Sequence, residues 1–135
     1  MGNEGERARG MTATVLHVED NPANRMLVRD LLHFRGYRVV DVVDGEAALA
    51  AAERERPDII LMDVQLPRVS GLEAARRIKA REDLRHIPIV AVTSFALSGD
   101  DQKAIAAGCN AYIAKPYKPR ELLKLIQDLL SGAPN

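Results

Sequence analysis

The chain has 135 residues, which holds one domain with a proper core and leaves little room for a second of ordinary size. Nineteen Lys and Arg balance nineteen Asp and Glu and no basic run stands out, so the electrostatic footprint of a nucleic-acid binder is missing. No apolar segment approaches the roughly 20 residues that span a bilayer, and the polar start has no signal-peptide core, so the expected address is cytoplasmic, away from the membrane. Cys109 is the single cysteine, so no internal disulfide forms, and His17, His33 and His86 lack zinc spacing; each is expected to be structural or on the surface.

Residues 1–12 are rich in Gly, Glu and Arg without apolar periodicity, and are expected to be a flexible tail before a domain over 13–131. Residues 14–18 form a first strand that ends on Glu19 and Asp20. Asn21-Pro22 then opens a helix, with Asn as cap and Pro at the first helical position. Leu27, Val28, Leu31 and Leu32 are expected to face the core, and Gly36 to stop the helix. Residues 38–42 are a more polar strand suited to a sheet edge. Asp44-Gly45 turns into an alanine-rich helix over 46–55, broken by Pro57.

Ile59-Ile60-Leu61-Met62 is a strand buried on both faces that ends on Asp63. Residues 67–71 make a loop, and Ser70-Gly71 leads into a third helix reaching about Ala80. Pro88 precedes a fourth strand over 89–92, which ends on Thr93-Ser94. Ser98 and Asp101 resemble a capping signal for a fourth helix, stopped at Gly108. A fifth strand over 111–114 ends on Lys115-Pro116, and a last helix covers about 119–130 with Leu122, Leu123, Ile126 and Leu130 inward. Five strand-helix units in alternation predict an α/β doubly wound fold: a five-stranded parallel sheet flanked by five helices, with right-handed crossovers.

Parallel strands put Glu19, Asp20, Asp63, Thr93 and Lys115 at one edge, the carboxyl ends of the strands, where ligands bind such sheets. Alone, Asp63 reads equally as a reactive group or as the start of a turn. The set is more specific. Three neighbouring carboxylates repel one another unless a cation sits among them, and hard oxygen ligands suit Mg²⁺. A carboxylate can attack phosphorus while the metal and a lysine offset charge on the phosphoryl oxygens, and the Thr93 hydroxyl can donate to one of them. The constellation reads as acceptance of a phosphoryl group.

These residues resemble a known family. Val18-Glu19-Asp20-Asn21, Leu61-Met62-Asp63, Pro67 to Gly71, Val92-Thr93, and Tyr112 to Lys115-Pro116 look like the receiver domain of two-component response regulators, over about residues 14–130. The nearest flavour is the single-domain, DivK-like type, on Met62-Asp63-Val64-Gln65-Leu66-Pro67 and the run 89–96. The resemblance implies a flavodoxin/CheY-like strand order, 2-1-3-4-5. It implies Asp63 as phosphoacceptor, Asp20 as direct metal ligand, Glu19 as a second acid acting on the Mg²⁺ directly or through water, and Gln65 as a ligand through its backbone carbonyl. Thr93 and Lys115 match the switch hydroxyl and the phosphate-binding lysine, and Tyr112 the aromatic that follows Thr93. The Lys115-Pro116 bond is expected to be cis. Glu19 stands where aspartate is commoner, while Gln65 and Phe95 occupy positions that influence how long the phosphate survives.

On a helical wheel, Met26 and Phe34 fall outside the core stripe and flank Asp30. Receivers often dock kinases through this helix, so Met26, Asp30 and Phe34 are expected to be part of a partner-binding ridge. The leading expectation is a bacterial signalling switch and not an enzyme. It takes a phosphoryl group from a histidine kinase or histidine phosphotransferase and acts on a downstream protein, as a monomer or weak dimer, with no output domain in these residues. A receiver module excised from a hybrid histidine kinase is the alternative. An aspartyl-phosphate phosphohydrolase is disfavoured because Gln65 stands where such an enzyme places a second acid.

Overall fold

Four consecutive apolar side chains, Ile59 to Met62, leave no face of their strand suited to water, so a layer must cover each side. The computed structural model describes residues 12–66, 69–93 and 100–132, apart from the side chains of 100 and 101, and in it Ile59–Asp63 is the central strand β3, buried at every position. The other strands are β1 (Thr14–Val18), β2 (Arg38–Val42), β4 (Ile89–Thr93) and β5 (Ala111–Ala114). All pair in parallel, in the order β2-β1-β3-β4-β5. The more polar Arg38–Val42 strand takes an edge, as its composition predicts.

Five helices alternate with the strands: α1 (Pro22–Phe34), α2 (Gly45–Glu55), α3 (Gly71–Ala80), α4 (Asp100–Ala106) and α5 (Pro119–Leu130). Val28 and Leu32 of α1 and Leu122, Leu123 and Ile126 of α5 pack with Val15, Leu61 and Val90 on one face of the sheet. The alanines of α2, α3 and α4 close against Leu16, Ile60, Met62 and Ile89 on the other. Small residues there let three helices lie close to the sheet.

Side chains fix where the helices begin. Asn21 accepts from the Asn24 N–H at 3.0 Å, Asp44 from Ala47 at 2.8 Å and Ser70 from Glu73 at 3.2 Å, satisfying donors that a first turn leaves open. For α5, Glu121 reaches back to the Lys118 N–H at 2.9 Å. Gly36 at φ 89° and Gly108 at φ 97° end α1 and close the turn after α4 in the left-handed region, where a Cβ is penalised. Among the described residues no helix is long and apolar enough to cross a membrane.

One core expectation is corrected. Leu27 is 72 % exposed, whereas Val28 and Leu32 are buried and Leu31 is partly covered. The buried arc of α1 is narrower than the four-residue stripe, and Leu27 is turned past it, toward the gap between α1 and the turn after β5. Residues 1–11, Pro67, Phe95 and the capping residue Ser98 lie outside the described residues.

Candidate functional site

Every strand that carries a site residue stops within one or two residues of it, so the side chains stand at the rim of the sheet. Glu19 follows β1 directly, and its N–H still pairs with Val42 O at 3.0 Å, holding it in the line of the sheet. Its carboxylate is buried and accepts the Asn21 N–H at 3.1 Å, while Arg25 on the first turns of α1 donates Nη1 to the Glu19 carbonyl at 2.9 Å. Asp63 ends β3, and its Oδ1 accepts the Gln65 N–H at 2.9 Å.

Lys115, just after β5, bridges both acids: its Nζ lies 3.2 Å from Glu19 Oε1 and 3.3 Å from Asp63 Oδ2. The Asp63 side chain is 7 % exposed. Asp20 is exposed and supplies the third carboxylate, so Glu19, Asp20 and Asp63 each offer an oxygen within 4.8 Å of the others. One ammonium thus bridges two of three clustered carboxylates.

The ionisation equilibria reflect that imbalance. Burial pushes the Asp63 carboxyl above its ordinary value, and nearby Glu19 adds to the rise, against the Gln65 N–H and Lys115. Burial alone would depress Lys115, but Asp63 and Glu19 outweigh it and hold the ammonium above its usual range. A pocket of oxygen donors with one more negative charge than its lysine can balance, even counting only the two buried acids, fits a small hard divalent cation such as Mg²⁺.

Thr93 is buried at the end of β4, one strand from Asp63, and its carbonyl accepts the Lys115 N–H at 2.7 Å. Tyr112, on β5, points outward and is 43 % exposed. The Lys115-Pro116 peptide is cis. Gln65 is exposed beside the pocket. Met26, Asp30 and Phe34 are not part of this cluster: they are exposed on α1, Met26 at 65 % and Phe34 at 87 %.

Two contributors escape a motif reading. Arg25 lies six residues after Glu19, and only the helix that Asn21 caps turns it back onto the Glu19 carbonyl. Gly71 is the other: a Cβ built on it would lie 1.9 Å from the Asp63 carbonyl oxygen, so the start of α3 abuts the strand end that presents Asp63. A glycine eight residues from the acid was legible only as the opening of a helix.

A family model described as response regulator receiver domain matches residues 15–127. The polar-differentiation response regulator DivK of Brucella ovis is 46% identical over 123 residues, 91% of this chain and 100% of that protein. The protein of the same name from Brucella anthropi is 45% identical over the same shares. Among solved structures, the receiver domain of a Pseudomonas aeruginosa sensor histidine kinase, described with a magnesium ion coordinated in its active-site cleft, is 44% identical with a TM-score of 0.84, covering 89% of this chain and 98% of its own. The chemotaxis response regulator CheY4 of Vibrio cholerae is 32% identical with a TM-score of 0.82, covering 87% and 98%.

Proposed function

The chain belongs to the response regulator receiver domain family, and on that premise we propose that Asp63 accepts a phosphoryl group from a phosphohistidine on a kinase or phosphotransferase and thereby switches the chain's affinity for another protein. The observation that carries this reading is Lys115 shared at 3.2 and 3.3 Å between Glu19 and Asp63, with Asp20 completing three carboxylates.

In this reading Asp63 is the nucleophile. The Gln65 N–H on Oδ1 and the Lys115 ammonium on Oδ2 fix the carboxylate in one orientation. Glu19, Asp20, Asp63 and the Gln65 carbonyl would hold Mg²⁺, which when bound offsets charge on the phosphoryl oxygens. Lys115 leaves Asp63 for an incoming phosphoryl oxygen without leaving the pocket, because its backbone stays tied to Thr93. The Thr93 hydroxyl, on the adjoining strand end, donates to a second oxygen, and Tyr112 follows Thr93. The stored signal is the difference in partner affinity between the two states. The exposed ridge of Met26, Asp30 and Phe34 is the surface proposed to meet the phosphodonor protein.

Incubation with Mg²⁺ and acetyl phosphate should add one phosphoryl group to the chain by intact mass and none to Asp63→Asn. Equal labelling of both proteins, or none of either, would sink the assignment. Replacing Met26 and Phe34 together by polar residues should slow transfer from a cognate kinase at least roughly tenfold, the scale of losing one or two contacts worth over 1 kcal/mol, and leave acetyl phosphate labelling alone. An unchanged kinase rate would discard the ridge.

A further inference from the structure

A groove of about 710 Å³ opens beside the acidic pocket and passes between α1 and the turn that joins β5 to α5. Its volume falls within the roughly 300–1,000 Å³ of small-molecule sites. Glu19 and Lys115 stand at one end, the same two side chains that flank Asp63, while Leu27, Leu31, Pro116 and Tyr117 form the walls. The groove is therefore charged where it meets the pocket and apolar beyond it. Leu27, turned away from the core, faces this space. Asn24 and Leu31 both line it, and at 1.5 Å per helical residue it follows α1 for about 10 Å.

The leaving group narrows the ligand. Among the described residues, apart from the acids engaged with Lys115 or in the cation pocket, no carboxyl side chain lines the groove or follows Asp63 at Gln65, so no carboxylic acid is placed to protonate a departing alkoxide. A phosphate monoester is thereby a poor donor. A carboxylate departs without a proton, and an apolar chain attached to it matches the far end of the groove.

We infer that this groove holds the apolar tail of a medium-chain acyl phosphate, about four to eight carbons long given that reach along α1, and presents its phosphoryl group to Asp63. The inference rests on the reading of Asp63 as phosphoacceptor. An Asp63 carboxylate oxygen bonds to phosphorus as the bond from phosphorus to the acyl oxygen breaks; that oxygen takes the electron pair and leaves as the carboxylate, and no proton moves. The chain would then register a class of activated fatty acid directly, alongside any kinase.

The test uses the full chain with Mg²⁺ and acetyl, butyryl and hexanoyl phosphate, each well below saturation, with phosphorylation followed by intact mass. Burying methylenes should raise the rate roughly two- to fourfold apiece, so that hexanoyl phosphate exceeds acetyl phosphate by at least about tenfold. Leu27→Gln and Leu31→Gln should each bring that ratio, measured within the same variant, toward one. A flat series with acetyl phosphate still labelling Asp63 overturns the groove assignment alone. A steep series untouched by both variants also overturns it, since the tail is then held elsewhere. If no donor labels the chain, or Asp63→Asn is labelled equally, the reading of Asp63 fails and the inference fails with it.

Discussion

Gly71 shows how tightly single residues constrain the site. Its backbone N–H reaches Val64 O at 3.2 Å, and a methyl group there would collide with the Asp63 carbonyl at 1.9 Å. Neither partner is a flexible side chain, so the backbone must give. Gly71→Ala is expected to cost about 1–3 kcal/mol in urea unfolding, the scale of an overpacked site, and to slow labelling of Asp63 by acetyl phosphate because the acid moves with its carbonyl. The acids and the lysine themselves were legible, since each ends a recognisable strand. Gly71 was not, because a glycine before a helix carries no mark of what its missing Cβ would touch. Nor was the bond from Arg25 to Glu19 O, which depends on the helical phase of α1.

At the scale of elements, α1 is joined to the sheet in two ways of different kind. The apolar contact is made by Val28 and Leu32, the latter wholly buried, whereas Leu27 is 72 % exposed. Leu32→Ala should therefore cost about 2–5 kcal/mol, and Leu27→Ala should stay within about 0.5 kcal/mol, both by chemical unfolding. The polar contact is a chain of three residues: Arg29 of α1 donates through Nε to Asp41 on β2 at 2.7 Å, and His17 Nδ1 on β1 donates to the same carboxylate at 3.2 Å.

Burial alone would raise the Asp41 carboxyl, but His17 and Arg29 outweigh it and hold it below its ordinary value. A depressed carboxylate stabilises fully above its unfolded pKa and loses that contribution as pH falls through the folded one. Asp41→Asn should accordingly cost about 1–2 kcal/mol at pH 7, reduced because the Arg29 guanidinium is 49 % exposed. The cost should shrink toward zero in unfolding curves measured below about pH 4. Helix and strand positions were readable because caps, glycines and apolar runs agree at nearly every boundary. The exposed Leu27 was misread because a leucine at helical spacing does not reveal how wide an arc the sheet covers.

For the molecule as a whole, the strand-end pocket sets charge against stability. Folding brings three carboxylates within 4.8 Å of one another, only two of them paired with Lys115, and raises the Asp63 carboxyl, so a neutral residue there relieves the fold at neutral pH. Without divalent ions, Asp63→Asn should be more stable than the wild type by on the order of 1 kcal/mol. Mg²⁺ at ten times its dissociation constant should stabilise the wild type by about 1.4 kcal/mol, a rise of a few degrees in Tm, and the variant by much less. Equal shifts in both proteins would place the ion elsewhere. The doubly wound architecture was the most legible level of all, because five strand-helix alternations admit few other arrangements.

The 2.7 Å bond from the Lys115 N–H to the Thr93 carbonyl has one more consequence. It makes a single amide proton a spectator of two strand ends at once, so the Lys115 resonance in a ¹⁵N correlation spectrum is a built-in gauge of the site. A ligand that draws β4 and β5 together shifts it one way and one that parts them the other, with no label attached to the chain.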